Sequence, residues 1–153
     1  MSEVQPTFQI EKIYVKDLSL EIPNAPQVFL QTEQPQLEVQ INSEAAQFAE
    51  GMFEVTVAVT VTARAGERTV FLAEAVQAGI FAVRNVPQAD LEPLLGVACP
   101  NILYPYVRET ISDLVTRGGL PPVLLAPVSF EALYAQRAQQ KSGGADPRIE
   151  ISS

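Results

Sequence analysis

The chain has 153 residues, 47% of them apolar, and carries 10 Lys and Arg against 18 Asp and Glu for a formal charge of −8. No apolar run approaches the roughly 18 residues of a membrane-spanning helix, and the negative charge repels phosphate backbones, so direct membrane insertion and nucleic acid are excluded as expected partners. With no histidine and a single cysteine, the chain lacks the commonest general base and metal ligand and cannot form an internal disulfide; no metal or other cofactor is expected, and a reducing, cytoplasmic setting is the economical reading.

Residues 1–7 are polar, and Met1-Ser2-Glu3-Val4-Gln5-Pro6 has no basic stretch leading into an apolar one, so no secretory signal is expected. From Phe8 the chain alternates with a period of two, and its apolar phase shifts twice. Phe8 and Ile10 are followed by Ile13 and Val15, then by Leu18 and Leu20, with Tyr14 on the opposite phase. Two phase shifts within one strand predict bulges. Ile22-Pro23-Asn24-Ala25-Pro26 ends the strand and opens a long crossover that carries Val28, Phe29 and Leu30. Apolar side chains in such a loop must lie on something or stay open to a partner. Leu37, Val39 and Ile41 predict a second strand, with 45–50 as a weak extension or a turn. Residues 53–62 alternate valine with Thr, Glu and Ala and give the strongest strand signal. Ala65-Gly66-Glu67 reads as a tight turn, and 69–83 as the returning strand of a hairpin.

Helical spacing begins after Pro87. Residues 89–97 fit a short helix and 102–117 a long one, with Leu103, Val107, Ile111 and Leu114 in one stripe. Pro105 is tolerated near the start of that helix, and Gly118 is expected to supply a left-handed stop. The apolar segment Leu120-Pro121-Pro122-Val123-Leu124-Leu125-Ala126-Pro127 comes next. Ser129 is placed to cap a last helix over 130–140, whose stripe is Phe130, Leu133 and Tyr134. Residues 142–153 are small, polar and Gly-containing, and are expected as a disordered tail beyond a domain of residues 1–141. The predicted class is α+β: a four-stranded antiparallel sheet with a long crossover after its first strand, then a long interface helix and a C-terminal helix. The long helix is apolar over more than the roughly 100° stripe that one sheet covers, which predicts self-assembly.

Catalytic equipment is sparse. The chain has no phosphate-cradling glycine loop, nucleophile elbow or Cys pair. Cys99, just before Pro100, has no histidine to activate it, and carboxylates such as Glu21 and Glu74 on strands are commonly solvated. No catalytic residue is assigned and no enzyme is expected. A small-ligand protein or enzyme built from a curved sheet and a central helix remains the competing class.

Four ordered stretches resemble one family. Thr7-Phe8-Gln9-Ile10-Glu11-Lys12-Ile13-Tyr14-Val15-Lys16-Asp17-Leu18-Ser19-Leu20-Glu21-Ile22-Pro23-Asn24-Ala25-Pro26 is similar to the first strand and crossover of the SecB chaperones. Gly79-Ile80-Phe81, then Ala98-Cys99-Pro100-Asn101-Ile102-Leu103-Tyr104-Pro105-Tyr106-Val107-Arg108-Glu109, then Leu125-Ala126-Pro127-Val128-Ser129-Phe130-Glu131-Ala132-Leu133-Tyr134 resemble later signatures in the same order. The departures are small: Ser129 stands where the family commonly has Asn, and Ala73 where some members carry Cys.

The resemblance implies an ATP-independent cytoplasmic holdase that keeps secretory precursors unfolded and delivers them to SecA, the export motor. It also implies a homotetramer, a dimer of dimers with helices between two eight-stranded sheets. Its motor-contacting positions match Asp17, Glu21, Leu72 and Glu74. By the strand period, Leu72, Glu74 and Val76 share one face and Phe71, Ala73, Ala75 and Gln77 the other. The structural alternative for the acids is a solvated sheet face. Family grooves for unfolded clients lie between the crossover, the sheet and the last helix, which makes Ile22, Val28, Phe29, Leu124, Leu125, Phe130, Leu133 and Tyr134 candidates, each with core packing as its alternative. Self-association is expected through Ala73, Ala75, Gln77, Leu103, Tyr106, Val107, Thr110, Ile111 and Leu114. A SecB-like chaperone dedicated to one partner, such as an antitoxin, would be favoured by loss of the acidic positions; all four are present.

Overall fold

Val55, Val57, Val59 and Val61 are fully buried on one face of a single strand, and the rest of the architecture is arranged to cover them. A computed structural model gives this architecture and describes residues 5–143 and 149–152. The strands are β1 (Thr7–Glu21), β2 (Gln36–Ala49), β3 (Met52–Ala65), β4 (Arg68–Arg84) and β5 (Ile149–Ser152), in the order β1-β4-β3-β2-β5 with every described pairing antiparallel. The helices are α1 (Gln88–Pro93), α2 (Cys99–Arg117) and α3 (Phe130–Gly143), with a π-helical stretch, Leu94–Ala98, joining the first two.

β1 carries both expected bulges, between Ile10 and Lys12 and between Val15 and Asp17. Each adds one residue and so reverses the phase of the strand beyond it. As a result Phe8, Ile10, Ile13, Val15, Leu18 and Leu20 all pair with the β4 residues Val83, Phe81, Gly79, Gln77, Ala75 and Ala73, the phase that faces the core. The crossover then spans the sheet to its other side. It turns through a 3-10 stretch, Gln27–Leu30, and is tied to the β3–β4 hairpin by Asn24, whose Nδ2 donates to the Thr69 carbonyl at 2.8 Å.

α2 lies across the inner face with Leu103, Val107, Ile111 and Val115 fully buried. The expected fourth member, Leu114, is only half-buried, because steps of four residues along a helix keep to one ridge and lead to Val115. Gly79 permits this close approach: a Cβ there would sit 2.7 Å from Phe81 Cε2 and 3.0 Å from Leu103 Cδ2. Gln77 is the one buried polar side chain among the described residues. It accepts a hydrogen bond from Thr110 Oγ1 at 3.1 Å and donates to the Tyr14 carbonyl at 3.2 Å, beside the second β1 bulge, so helix, sheet centre and sheet edge are joined.

The helical region starts where the spacing puts it but is more continuous than expected. α1, the π stretch and α2 run on without a break, so Pro105 lies inside a helix and not near its start. Pro100 has no N–H to give, and the ladder widens just before it, with the Cys99 N–H reaching back five residues to the Leu94 carbonyl. The stop also differs. Gly118 has φ −79, and it is Gly119, at φ 79, that takes the left-handed conformation. Gly119 N–H donates to the Thr116 carbonyl and Leu120 N–H to the Val115 carbonyl, the paired bonds of a Schellman end. Ser129 caps α3 as expected, accepting from the Ala132 N–H at 3.2 Å. The stretch 142–153, expected to lack structure, contributes the end of α3 and, as β5, a strand beside β2; residues 144–148 and 153 of it lie outside the described residues.

Candidate functional site

The outer face of the sheet, away from α2, collects carboxylates. After its second bulge β1 places Asp17, Ser19 and Glu21 on this face, opposite Val76, Glu74 and Leu72. Asp17, Glu21, Leu72 and Glu74 therefore share one patch, Glu21 and Leu72 as a direct cross-strand pair. The row through Leu72 continues over Thr62 to Glu38 on β2, a residue not singled out from the sequence because strand order decides its neighbours. Lower on the same face Glu54 accepts hydrogen bonds from the Tyr14 hydroxyl and from Lys16 Nζ, the latter at 2.7 Å. The Lys16 bond, then the Tyr14 bond, hold the Glu54 carboxyl below its ordinary range. The bond to Glu54, with burial and the carboxylate's charge behind it, pushes the Tyr14 hydroxyl up to about 12. The lower face is thus internally paired, while Asp17, Glu21 and Glu74 present their charge outward.

The apolar candidates fall into three places. Val28 and Phe29 border a cavity of about 530 Å³ between the crossover and the 120–123 segment, closed behind by Leu37, Val70 and Phe71. Phe29 is 48% exposed at its mouth, and the neighbouring Leu30, absent from the expected set, is 85% exposed. Gln31 Oε1 is buried there without a hydrogen-bond partner. Ile22 packs near Gly118 beside this region. Leu124 and Leu125 border a different depression, on the outward side of α2 with Pro105 and Arg108. Phe130, Leu133 and Tyr134 line a narrow crease with Ile41, where the Tyr134 ring covers Gly96. Within the set Val28, Leu125 and Phe130 are buried, Phe130 edge-on to Tyr104 at 5.7 Å, so these three act as packing in one chain.

The expected self-association residues divide similarly. Ala73, Ala75, Gln77, Leu103, Val107 and Ile111 are buried between the chain's own sheet and α2, which leaves Tyr106, Thr110 and Leu114 within a partner's reach. The helix is more fully covered by its own sheet than its composition suggests. A contiguous row of uncovered apolar residues lies instead on β1, at the end of the sheet: Phe8, Ile10, Val15 and Leu18 take the inner phase and stay 39–46% exposed. The phase shifts at Glu11 and Lys16 locate these residues; only the strand order shows them to be at an edge. Cys99 is buried, and burial pushes its thiol up to about 12, the direction opposite to nucleophile activation.

No helix among the described residues is long and apolar enough to cross a membrane. The family profile described as "SecB: Preprotein translocase subunit SecB" matches residues 1–141. The chain is 63% identical over 143 residues to a protein-export protein SecB of Chromobacterium violaceum, covering 93% of this chain and 95% of that one. It is 53% identical over 144 residues to that of Neisseria meningitidis, covering 94% and 98%. Among solved structures, the Mycobacterium tuberculosis Rv1957 SecB-like chaperone, in complex with a ChAD peptide from the Rv1956 HigA1 antitoxin, superposes with a TM-score of 0.66 at 21% identity, over 80% of this chain and 91% of that one. At that identity the likeness is one of fold.

Proposed function

Because the chain belongs to the SecB family of protein-export chaperones, we propose that it is a cytoplasmic holdase that binds unfolded secretory precursors without ATP and passes them to SecA. The observation that carries this reading is the separation of two unlike surfaces on one sheet. The outer face carries Asp17, Glu21 and Glu74 around Leu72, suited to a folded basic partner. The cavity under the crossover, where Val28, Phe29, Val70, Phe71 and Val123 stand among polar residues, is suited to extended chain segments of no fixed sequence. A client can therefore be held while the motor docks. No catalytic role is assigned to any residue.

Assembly into a dimer of dimers completes the reading. β1 is the last strand of the sheet and, among the described residues, pairs on one side only. Two copies joined there would make one eight-stranded sheet from β1 to β4 of each, covering Phe8, Ile10, Val15 and Leu18. Tyr106, Thr110 and Leu114 on the open side of α2 then serve the contact between dimers.

An aggregation assay tests the function. The purified chain should suppress aggregation of a slow-folding precursor with no nucleotide present, and Phe29→Ser with Tyr134→Ser should weaken that protection several-fold while assembly is kept. Protection that needs ATP, or that is absent altogether, would overturn the holdase reading. Full protection by the double variant would remove those two residues from the groove.

A further inference from the structure

β2 lies at the opposite end of the four strands from β1, and its outer edge is occupied by the chain itself. β5 pairs along it from Glu38 to Ile41, with Ile149 opposite Ile41, Glu150 opposite Gln40, Ile151 opposite Val39 and Ser152 opposite Glu38. The register is the informative part. Val39 and Ile41 are the core-facing residues of β2, buried to 5% and 4% exposure, and the two isoleucines of the tail pair with them, while its polar residues pair with the solvent-side phase. A slip of one residue would reverse this match. The occupied stretch is also bounded. Leu37, just before it, lines the cavity under the crossover, and Ile41, at its end, lines the crease under α3. Beyond it Arg137 Nη2 donates to the Ser43 carbonyl at 2.8 Å and to Asn42 Oδ1 at 3.2 Å, so the strand beyond Ile41 is held by α3. Only five residues, 144–148, separate α3 from β5, which keeps the local concentration of the tail high.

We propose that β5 is a resident competitor: the tail strand Ile149–Ser152 occupies the β2 edge that leads out of the cavity under the crossover, and an extended client segment that enters this cavity must displace it to continue along the edge. The inference rests on the holdase reading and adds to it a built-in threshold for clients. Isolated client segments of low apolar content lose to the tail, whereas longer apolar ones also fill the cavity under the crossover and win. A four-residue strand is marginal by itself, so its effect is one of competition and not of blockade. With the edge occupied about 70–90% of the time, removing the tail should tighten client binding about three- to ten-fold.

The test uses the full chain, a chain ending at Gly143, and the full chain with Ile149→Asp and Ile151→Asp. The probe is a labelled, unstructured peptide of alternating isoleucine and serine, and the second readout is hydrogen exchange at the Val39 and Ile41 amides. Both altered chains should bind the peptide about three- to ten-fold more tightly. Without peptide their β2-edge amides should exchange faster than in the full chain, and peptide should restore protection. Unchanged exchange would show that β5 does not hold the edge, and faster exchange with unchanged affinity would show that it does not compete; either overturns the proposal alone. If no form binds the peptide or protects a precursor, the holdase reading fails with it.

Discussion

Tyr14 and Glu54 show what a single pair of side chains does to the outer face. They lie on strands separated by β4, and Tyr14 reaches across because the β4 residue opposite it is the small Ala78. The phase of Tyr14 is legible in the sequence, but its partner is 40 positions away and depends on strand order, so the pair is not. Its pH dependence comes from the two directions of shift. Glu54 is more acidic in the folded chain than its ordinary 4.5, so its contribution to stability is full above that value and is lost as pH falls through the folded one. Tyr14 is held up to about 12 from 10, so its contribution is full below 10 and is lost as pH rises toward 12. Glu54→Gln should lessen both the acid and the alkaline loss, at the expense of stability at neutral pH. Ultraviolet titration should show one tyrosine moving back toward 10 in that variant. A titration curve identical to that of the parent would mean that the pair does not form in solution.

At the scale of elements, the strands are more legible than the helix ends, and the physical reason is the period. Alternation at two residues per repeat exposes any insertion as a phase change, so both bulges of β1 can be located from Phe8 to Leu20. A helix gives no such marker where prolines interrupt it. Pro93, Pro100 and Pro105 argue against a continuous helix, yet the π-helical stretch before Pro100 absorbs the missing donor and the helix runs through. The spacing puts the end of α2 at the right place and on the wrong glycine, since two adjacent glycines cannot be told apart without their dihedrals. The distinction is measurable. Gly119→Ala puts a side chain at φ 79 and should cost about 1–2 kcal/mol, with Gly119→Asn costing clearly less. Gly118→Ala meets no strain in φ, but its Cβ would lie 2.7 Å from Leu20 Cδ2 and 3.1 Å from Ile22 Cδ1, side-chain ends that can give way, and 3.3 Å from the Val115 carbonyl oxygen. Urea unfolding at one protein concentration should rank Gly119→Ala clearly below Gly119→Asn; equal stability of these two would remove the left-handed role from Gly119. β5 is illegible for a different reason, since four residues acquire a strand conformation only from the edge they pair with.

For the molecule as a whole, the decisive property is that its charge is unevenly used. The formal charge is −8, and on the outer sheet face Glu21 and Glu38 flank the row through Leu72, with Glu74 and Asp17 one and two same-face positions further along. An apolar centre with a carboxylate rim is the arrangement in which the rim governs encounter and the centre governs release. Asp17→Lys and Glu74→Lys should each weaken SecA binding by about three- to ten-fold at low salt and flatten its salt dependence, because the long-range attraction is what salt screens. Leu72→Ala should speed dissociation, by about 1–3 kcal/mol if it is the anchor, with little change in salt response. Glu38→Lys should behave as a weaker rim variant, since Thr62 stands between it and Leu72. The Asp17, Leu72 and Glu74 variants should hold precursors as well as the parent, because the cavity under the crossover is lined by other residues and none of the three lies on the β2 edge. Titration against SecA at two salt concentrations, with light scattering to confirm unchanged assembly, separates the cases. Charge reversals that leave both affinity and salt dependence untouched would mean that this face is merely solvated and that the motor docks elsewhere.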